Sequence, residues 1–321
     1  MRYIVGIDVG GTNVVVGTVA QDGSEILGVL SESTNAEQGP DAVVERIVTL
    51  ARASMAHAAG KEIAGVGIGS PGPLNTKTGI VILTPNLGWV NMPLRDRVSA
   101  GLGLPATLDN DANCAVLGEW WRGAARGVPH VVGLTIGTGI GGGIVLDGEI
   151  YHGASDIAGE IGHMTIDSTG RRCKCGNYGC LEAYASGPAI AARAVEGLQS
   201  GADSALPDRV SGDLAKITAQ VVYDAAHDGD AYALEVVYET ARLLGAGVAS
   251  IINIFNPNVV VICGGVTRAG DTLFLPLRNE VKRRAFKPAV DVCRILPGEL
   301  PGTAGVWGAA AVFIKRTWGR V

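Results

Sequence analysis

The sequence predicts an α/β protein of two domains, built on a duplicated unit in which two apolar strands flank a glycine turn. Three observations carry that expectation. The first is the run Tyr3–Val9, a turn at Gly10–Asn13 and a second run Val14–Val19, with Asp22–Gly23 turning into a third strand near Ile26–Leu30. The second is the partial return of this pattern: strand Val131–Ile136, a glycine-rich turn Gly137–Gly143, strand Ile144–Leu146, and Asp147–Gly148 turning into Glu149–Tyr151. The third is length, since 321 residues exceed the size at which one hydrophobic core stops growing.

The other elements follow from periodicity and punctuation. Pro40–Asp41 opens a helix whose apolar face is Val44, Ile47, Val48, Ala51 and Met55, ending near Gly60. Ala64–Ile68 and Ala106–Leu108 read as buried strands, and Ala112–Trp121 as a helix. After Tyr184 the chain is largely helical to Ile254. A strand follows at Val259–Cys263, then a helix around Asp271–Phe286, a short strand at Val290–Ile295 and a final helix at Thr303–Arg316. Gly201–Gly212 is the most loop-like stretch. The uncharged run Leu243–Thr267 has the length of a membrane span, but Asn253 and the Asn256–Pro257–Asn258 break divide it into helix, turn and strand. The expected division is a small domain of residues 1–110 plus 302–321 and a larger one of residues 111–301.

Composition narrows the function classes. Hydrophobic residues are 47% and charged residues 18%, which is globular. Glycine, at 47 residues, is about twice its usual share and clusters beside apolar runs, as backbone that turns sharply or approaches a ligand does. A net charge of −5 with no basic run gives no footprint for nucleic acid or an anionic membrane. Met1 leads within three residues into a strand, so no signal peptide is expected. Three of the six cysteines crowd into Cys173–Cys180, a spacing that suits metal ligation in a reducing compartment, so a cytoplasmic protein is expected.

Four motifs carry chemistry. In Asp8-x-Gly10-Gly11-Thr12-Asn13 the glycines let backbone N–H groups converge on phosphate oxygens, and the Asp8 carboxylate can hold a magnesium ion through water. An ordinary hairpin turn is the alternative. Gly137-Thr138-Gly139-Ile140-Gly141-Gly142-Gly143 contains GxGxxG, yet the dinucleotide fingerprint must open a helix, and this one leads to a strand and a hairpin turn. A second phosphate-gripping hairpin fits better. His163, Cys173, Cys175 and Cys180 supply one imidazole and three thiolates, a closed tetrahedral set for zinc, with Gly176 and Gly179 allowing the turns between ligands. Asp109-Asn110-Asp111 stands at the mouth of a helix. It reads either as a helix cap or as a carboxylate base beside an amide that orients a hydroxyl substrate.

Taken in order, these residues resemble the ROK family (repressors, open reading frames and kinases) of the actin-like, ribonuclease H-like ATPase superfamily. The resemblance covers essentially the whole chain. It rests on Asp8–Asn13, Asn110–Asp111, the run ending in Glu160-Ile-Gly-His163, and Cys173-x-Cys175-Gly-x-x-Gly-Cys180-x-Glu182. It implies a two-domain fold with an interdomain cleft and an ATP-dependent sugar kinase. Asp8, Gly10, Gly11, Thr12 and Asn13, with Gly137, Thr138, Gly139 and Gly141, would grip the ATP phosphates, and Gly264 and Gly265 would lie near the adenosine. Asp111 matches the family's catalytic base, and Asn110, Glu160, His163 and Glu182 match positions that contact sugar hydroxyls. ATP, magnesium and a structural zinc are the implied cofactors, and a homo-oligomer, dimer or tetramer, is the implied assembly.

The segment Pro85-Asn86-Leu87-Gly88-Trp89 resembles the sugar-side loop of the family's zinc-containing bacterial glucokinases, so glucose is the expected substrate. N-acetylhexosamine, mannose and fructose are the alternatives. The rivals from another class are a repressor of the same family and a sugar sensor that binds without phosphorylating. With the phosphate motif beginning at Asp8, a helix-turn-helix before it is not expected. Finally, zinc between His163 and Cys180 would tie down a loop carrying Glu160 and Glu182. No expected ATP-phosphate residue lies between those ligands, so sugar binding alone is expected to depend on the metal.

Overall fold

A computed structural model describes every residue of the chain except Arg320. The expected duplication is present as two five-stranded sheets of matching order. In the first, β1 (Arg2–Val9) lies between β2 (Asn13–Ala20) and β4 (Glu62–Ser70), with β3 (Ile26–Ser33) and β8 (Ala106–Asn110) at the edges. β1, β2 and β3 pair antiparallel, while β4 and β8 run parallel to β1. The second sheet has the order β11-β10-β9-β12-β13, from β9 (His130–Ile136), β10 (Ile140–Leu146), β11 (Glu149–Ile150), β12 (Val259–Gly264) and β13 (Arg294–Pro297). A third, small sheet of β5 (Leu74–Asn75), β6 (Ile80–Thr84) and β7 (Trp89–Met92) had no clear sequence signal, its alternation being broken by two successive exposed residues in β6.

The helices are α1 (Pro40–Ala56), α2 (Leu94–Leu102), α3 (Asp111–Arg122), α4 (Glu182–Ala185), α5 (Gly187–Gln199), α6 (Leu206–Arg209), α7 (Ala219–His227), α8 (Ala231–Phe255), α9 (Asp271–Arg284), α10 (Lys287–Val292) and α11 (Ala304–Trp318). The chain forms two compact units: Met1–Val131 with Gly143–Gly159 and Glu299–Val321, and Val132–Gly142 with Glu160–Gly298. The sequence-based division cuts after Asn110 and so separates α3 from α11, its principal packing partner in the first unit.

In the first unit the odd positions of β1 (Val5, Ile7, Val9) face the core shared with α1, whose Val43, Val44, Ile47, Leu50 and Ala51 are buried there. The even positions face α11. On that side side chains give way to glycine: Gly6 pairs with Gly67, and Gly65 and Gly69 continue the track along β4. A Cβ on Gly67 would overlap the Ala309 carbonyl of α11, and one on Gly308 would overlap the Cys114 carbonyl of α3. The helix therefore lies with its backbone against strand and helix, held by close packing of main-chain atoms.

Three expectations are corrected in the second half. The glycine turn is only Gly137–Gly139, because Ile140–Gly143 already belongs to β10. The residues read as a strand at Val290–Ile295 end a helical turn at Val292 and pair only from Arg294. Pro288 near its N-terminus presets the helical φ of α10. The loop-like stretch Gly201–Gly212 contains α6, again with a proline in its first turn. The division of Leu243–Thr267 holds: α8 stops at Asn256, which takes a left-handed φ of 44° before Pro257, and β12 follows. No helix among the described residues is long and apolar enough to cross a membrane.

The glycine track yields a test whose sign opposes intrinsic preference. Glycine weakens strand interiors, so Gly67→Ala would stabilise an isolated strand. Here the added methyl has to displace α11, and we expect a loss of at least about 1–3 kcal/mol in urea unfolding. Unchanged or higher stability would mean that α11 is free to shift.

Candidate functional site

The first glycine turn caps the β1–β2 hairpin. Gly10 N–H donates to Asn13 O at 2.8 Å, and Gly11, Thr12 and Asn13 are exposed, with their backbone open to a ligand. A residue that the sequence did not single out pins this turn. Thr34, fully buried just after β3, donates its N–H to Thr12 O at 2.7 Å and its hydroxyl to Gly10 O at 2.8 Å. Asp8 stands immediately before the turn, on the α11 face of β1. Burial, and then the negative charge of Asp111, push its carboxyl up from 3.8 to about 7. A like-charged carboxylate pair of this kind is relieved by a divalent cation, so the donor set fits magnesium.

Asn110 and Asp111 lie where β8 passes into α3. The capping alternative is realised: Asn110 Oδ1 accepts the N–H groups of Ala112 at 2.9 Å and Asn113 at 3.2 Å. This use of the oxygen leaves the amide nitrogen for a substrate hydroxyl, so the two readings of Asn110 are compatible. Behind them sits Asp109, 1% exposed. Its Oδ2 accepts from His152 Nε2 and from Arg316 of α11, each at 2.8 Å, and its Oδ1 accepts the Asn113 amide at 3.3 Å. Arg316 also donates to Leu108 O at 3.1 Å. The hydrogen bond to Asp109 raises the His152 pKa above 6.5, with burial and Arg316 opposing. Neither His152 nor Arg316 was marked by the sequence, because they lie 43 and 207 residues from Asp109 and belong to no local motif.

In the second unit, Gly137 N–H donates to Gly139 O at 2.9 Å and closes the turn between β9 and β10. Gly137 and Thr138 line a cavity of about 360 Å³ together with Gly265 and Val266, which follow β12. The expected phosphate and adenosine residues of this unit therefore meet, and Gly264 ends β12 beside them. Gly141 lies further along, inside β10. The remaining wall comes from α5 and the start of α7, including Pro188, Ile217, Thr218 and Tyr223, which carry no recognisable motif. A glycine sequence that turns into a strand and borders such a cavity suits a nucleotide phosphate and base. It has no helix with which to hold a dinucleotide in the GxGxxG manner.

His163, Cys173, Cys175 and Cys180 converge, with one ligand atom from each within 4.8 Å of all the others. Cys175 Sγ and Cys180 Sγ are 3.8 Å apart, and Cys173 Sγ is 3.8 Å from His163 Nδ1. A tetrahedral zinc with Zn–S near 2.3 Å sets sulfur–sulfur edges at about 3.8 Å, so the set fits that ion. Burial pushes the Cys180 thiol up to about 12 and also raises Cys173, whereas the backbone N–H of Asn177 lowers exposed Cys175. Three crowded thiols become thiolates together only around a cation. Gly179 makes the turn possible, with φ of 70° and no room for a Cβ beside Asp167 O. Glu160 Oε2 lies 3.9 Å from His163 Nε2, and Glu182 Oε1 lies 3.9 Å from Cys173 Sγ. Both expected sugar carboxylates therefore border the candidate metal ligands.

Residues 4–316 match the ROK family. A glucokinase of Thermotoga maritima is 40% identical over 317 residues, which span 98% of each chain. A xylose repressor of Caldicellulosiruptor bescii is 36% identical over 255 residues, 79% of this chain and 63% of the repressor. Among solved structures, a ROK family glucokinase from Streptomyces griseus, in complex with glucose and AMPPNP, superposes with a TM-score of 0.84. It is 33% identical, and the match covers 97% of this chain and 98% of that one. The paired five-strand sheets are those of the actin-like two-domain ATPase fold.

The Asp109 cluster makes stability depend on pH with a defined sign. The raised His152 pKa means that its protonated form gains from folding. That gain is complete below the free imidazole value of 6.5 and fades as pH rises through the folded value. His152→Gln keeps a donor for Asp109 without the charge. The stability gap between wild type and variant, from urea unfolding at a series of pH values, should be widest below pH 6.5 and narrow above it. A gap constant across that series would show that folding leaves the imidazole pKa unchanged, and a gap that widened as pH rose through 6.5 would show the imidazole held neutral in the fold.

Proposed function

Since the chain belongs to the ROK family, we propose that it is an ATP-dependent glucokinase, transferring the γ-phosphoryl group to the 6-hydroxyl of glucose. The observation that carries this reading is the carboxylate pair of Asp8 and Asp111 at the ends of β1 and β8, beside the exposed glycine turn. The T. maritima and S. griseus relatives, both glucokinases matched over nearly their whole length, support the choice of sugar.

Asp111 accepts the proton as glucose O6 attacks the γ-phosphorus. The bond from that phosphorus to the bridging oxygen breaks, and ADP leaves with the electron pair. Asn110 turns its amide nitrogen to the sugar, its oxygen being occupied by the helix cap. Glu160, His163 and Glu182 hold ring hydroxyls. Neither glycine turn contains Lys or Arg, so the backbone N–H groups of Gly11 and Thr12 and of Thr138 and Gly139 receive phosphate oxygens, those of Gly10 and Gly137 being bonded within the turns. Asp8 would hold magnesium through water, and the ion would supply charge neutralisation for the phosphates. His163, Cys173, Cys175 and Cys180 would hold the structural zinc. A reducing, ATP-bearing compartment, the cytoplasm, is the setting we infer. The exposed apolar side chains of Ile254, Phe286 and Val292 support a homo-oligomer.

The likeness to the xylose repressor favours a second reading, a sugar-responsive regulator without turnover. One variant separates the two. Asp111→Asn keeps shape and removes the proton acceptor, so ADP formation should slow by at least ~100-fold while glucose affinity by calorimetry changes far less. Wild-type protein that binds glucose yet releases no ADP would favour the regulator, and near-normal turnover in the variant would sink the base assignment.

Substrate choice is tested with a hexose panel at saturating Mg-ATP. Two carboxylates that accept from ring hydroxyls penalise an analogue leaving one of them unpaired. Glucose should therefore exceed mannose, fructose and N-acetylglucosamine in kcat/KM. A higher value for any of these would replace glucose while leaving the kinase reading intact.

A further inference from the structure

In sequence, the zinc ligands are separate from the phosphate turn. In the structure, the segment from Glu160 to Gly187 closes on that turn and on Ile140, the strand residue next to it, at three places. Gly162 lies so close to Ile140 O that a Cβ there would overlap it. Glu182 Oε2 accepts the Ile140 N–H at 2.9 Å. Gly187 N–H donates to Gly137 O at 2.9 Å. Glu182 is the residue that reaches both ways. Two positions past ligand Cys180, it points Oε1 at Cys173 Sγ, 3.9 Å away, while Oε2 is bonded to the phosphate turn. The fit around that second oxygen is close, since a Cβ on Gly139 would sit 2.5 Å from it.

We propose that Glu182 is a positioning residue for the nucleotide as well as a sugar contact, and that it couples the metal knot and the bound sugar to the phosphate turn. The proposal rests on the reading that this turn receives ATP phosphates. Ile140 N–H is the first donor past the turn, and a carboxylate acceptor makes its hydrogen bond one of the stronger kind. That bond fixes the end of Gly137–Gly139 and so the direction of its N–H groups. A sugar hydroxyl that donates to Glu182 restricts the same side chain, which leaves less ordering to be done when the nucleotide arrives. Sugar should thus tighten nucleotide binding, and reciprocity requires that nucleotide tighten sugar binding. The expectation that zinc governs sugar affinity alone is revised: loss of the metal reaches the phosphate turn through one side chain.

The test is calorimetry of a non-hydrolysable ATP analogue with magnesium, on zinc-loaded protein and without sugar. Glu182→Ala should weaken analogue binding about tenfold with zinc retained, as expected for losing a hydrogen bond to a charged acceptor. Glu182→Gln still offers an oxygen to Ile140 N–H. It should keep analogue affinity within about twofold and lose glucose affinity instead, a split that general destabilisation would not produce. Gly139→Ala crowds Glu182 from the nucleotide side and should lower glucose affinity, although Gly139 is no sugar contact. Wild-type analogue affinity in the zinc-bearing Ala variant overturns the coupling alone. Absence of analogue binding in the wild type overturns both the coupling and the kinase reading. If the Ala variant does not fold, unchanged glucose affinity in Gly139→Ala overturns the coupling.

Discussion

The seating of α11 on the glycine track of β1 and β4 is the contact on which the first unit depends. A helix normally stands about 10 Å from a sheet because side chains intervene. Here Gly6 and Gly67 remove them so that main-chain atoms meet directly, and Gly65 makes room for the Phe313 ring. A contact of this kind has little slack. It also reaches the aspartates of this unit's part of the candidate site. A Cβ on Gly305 of α11 would strike Asp8, Gly308 lies against α3 at Cys114, and Arg316 at the far end bonds Asp109. Asp111 begins α3, so its position is inherited from the same packing. The C-terminal helix thereby acts as a gauge for groups contributed by residues 8, 109 and 111.

The duplicated hairpins solve one problem in two ways. Each must hold a short glycine turn open toward solvent, and such a turn cannot order itself through side chains it lacks. In the first unit a single buried threonine does it, Thr34 bonding the carbonyls of Gly10 and Thr12. In the second, the segment bearing the metal ligands does it, through Gly162, Glu182 and Gly187. The first solution is local and passive. The second ties the turn to a residue, Glu182, that also lies against the His/Cys cluster.

What was legible in the sequence was what local chemistry dictates. The hairpins announced themselves through glycine between apolar strands, the end of α8 through Asn256–Pro257, and the metal set through three cysteines in eight residues. Errors arose where local signals were ambiguous. Gly141–Gly143 reads as turn by composition, but its partners in the sheet make it strand. Val290–Ile295 is β-branched enough to suggest a strand, and Pro288 converts its first half into a helical turn. The Asp109–His152–Arg316 cluster and the α7 wall of the cavity are long-range products of folding, with no spacing rule to reveal them. The glycine alternation in Glu62–Ser70 was visible, yet it carries meaning only once α11 is known to lie over it.

The Asp8–Asp111 pair shows what such rigid packing is for. Two carboxylates that repel, one of them drawn up to about 7 by burial and by the other's charge, destabilise the free protein. Flexible surroundings would let them part, and the repulsion would relax into solvent. Asp8 cannot move away along β1, because the even face of that strand is closed by α11, and Asp111 is fixed at the head of a capped helix. The unfavourable field is relieved only by a proton or a cation that neutralises it. A site that keeps its charges in place before the ligands arrive pays no reorganisation cost during reaction. The glycines that let α11 approach so closely thus help to hold Asp8 and Asp111 in place.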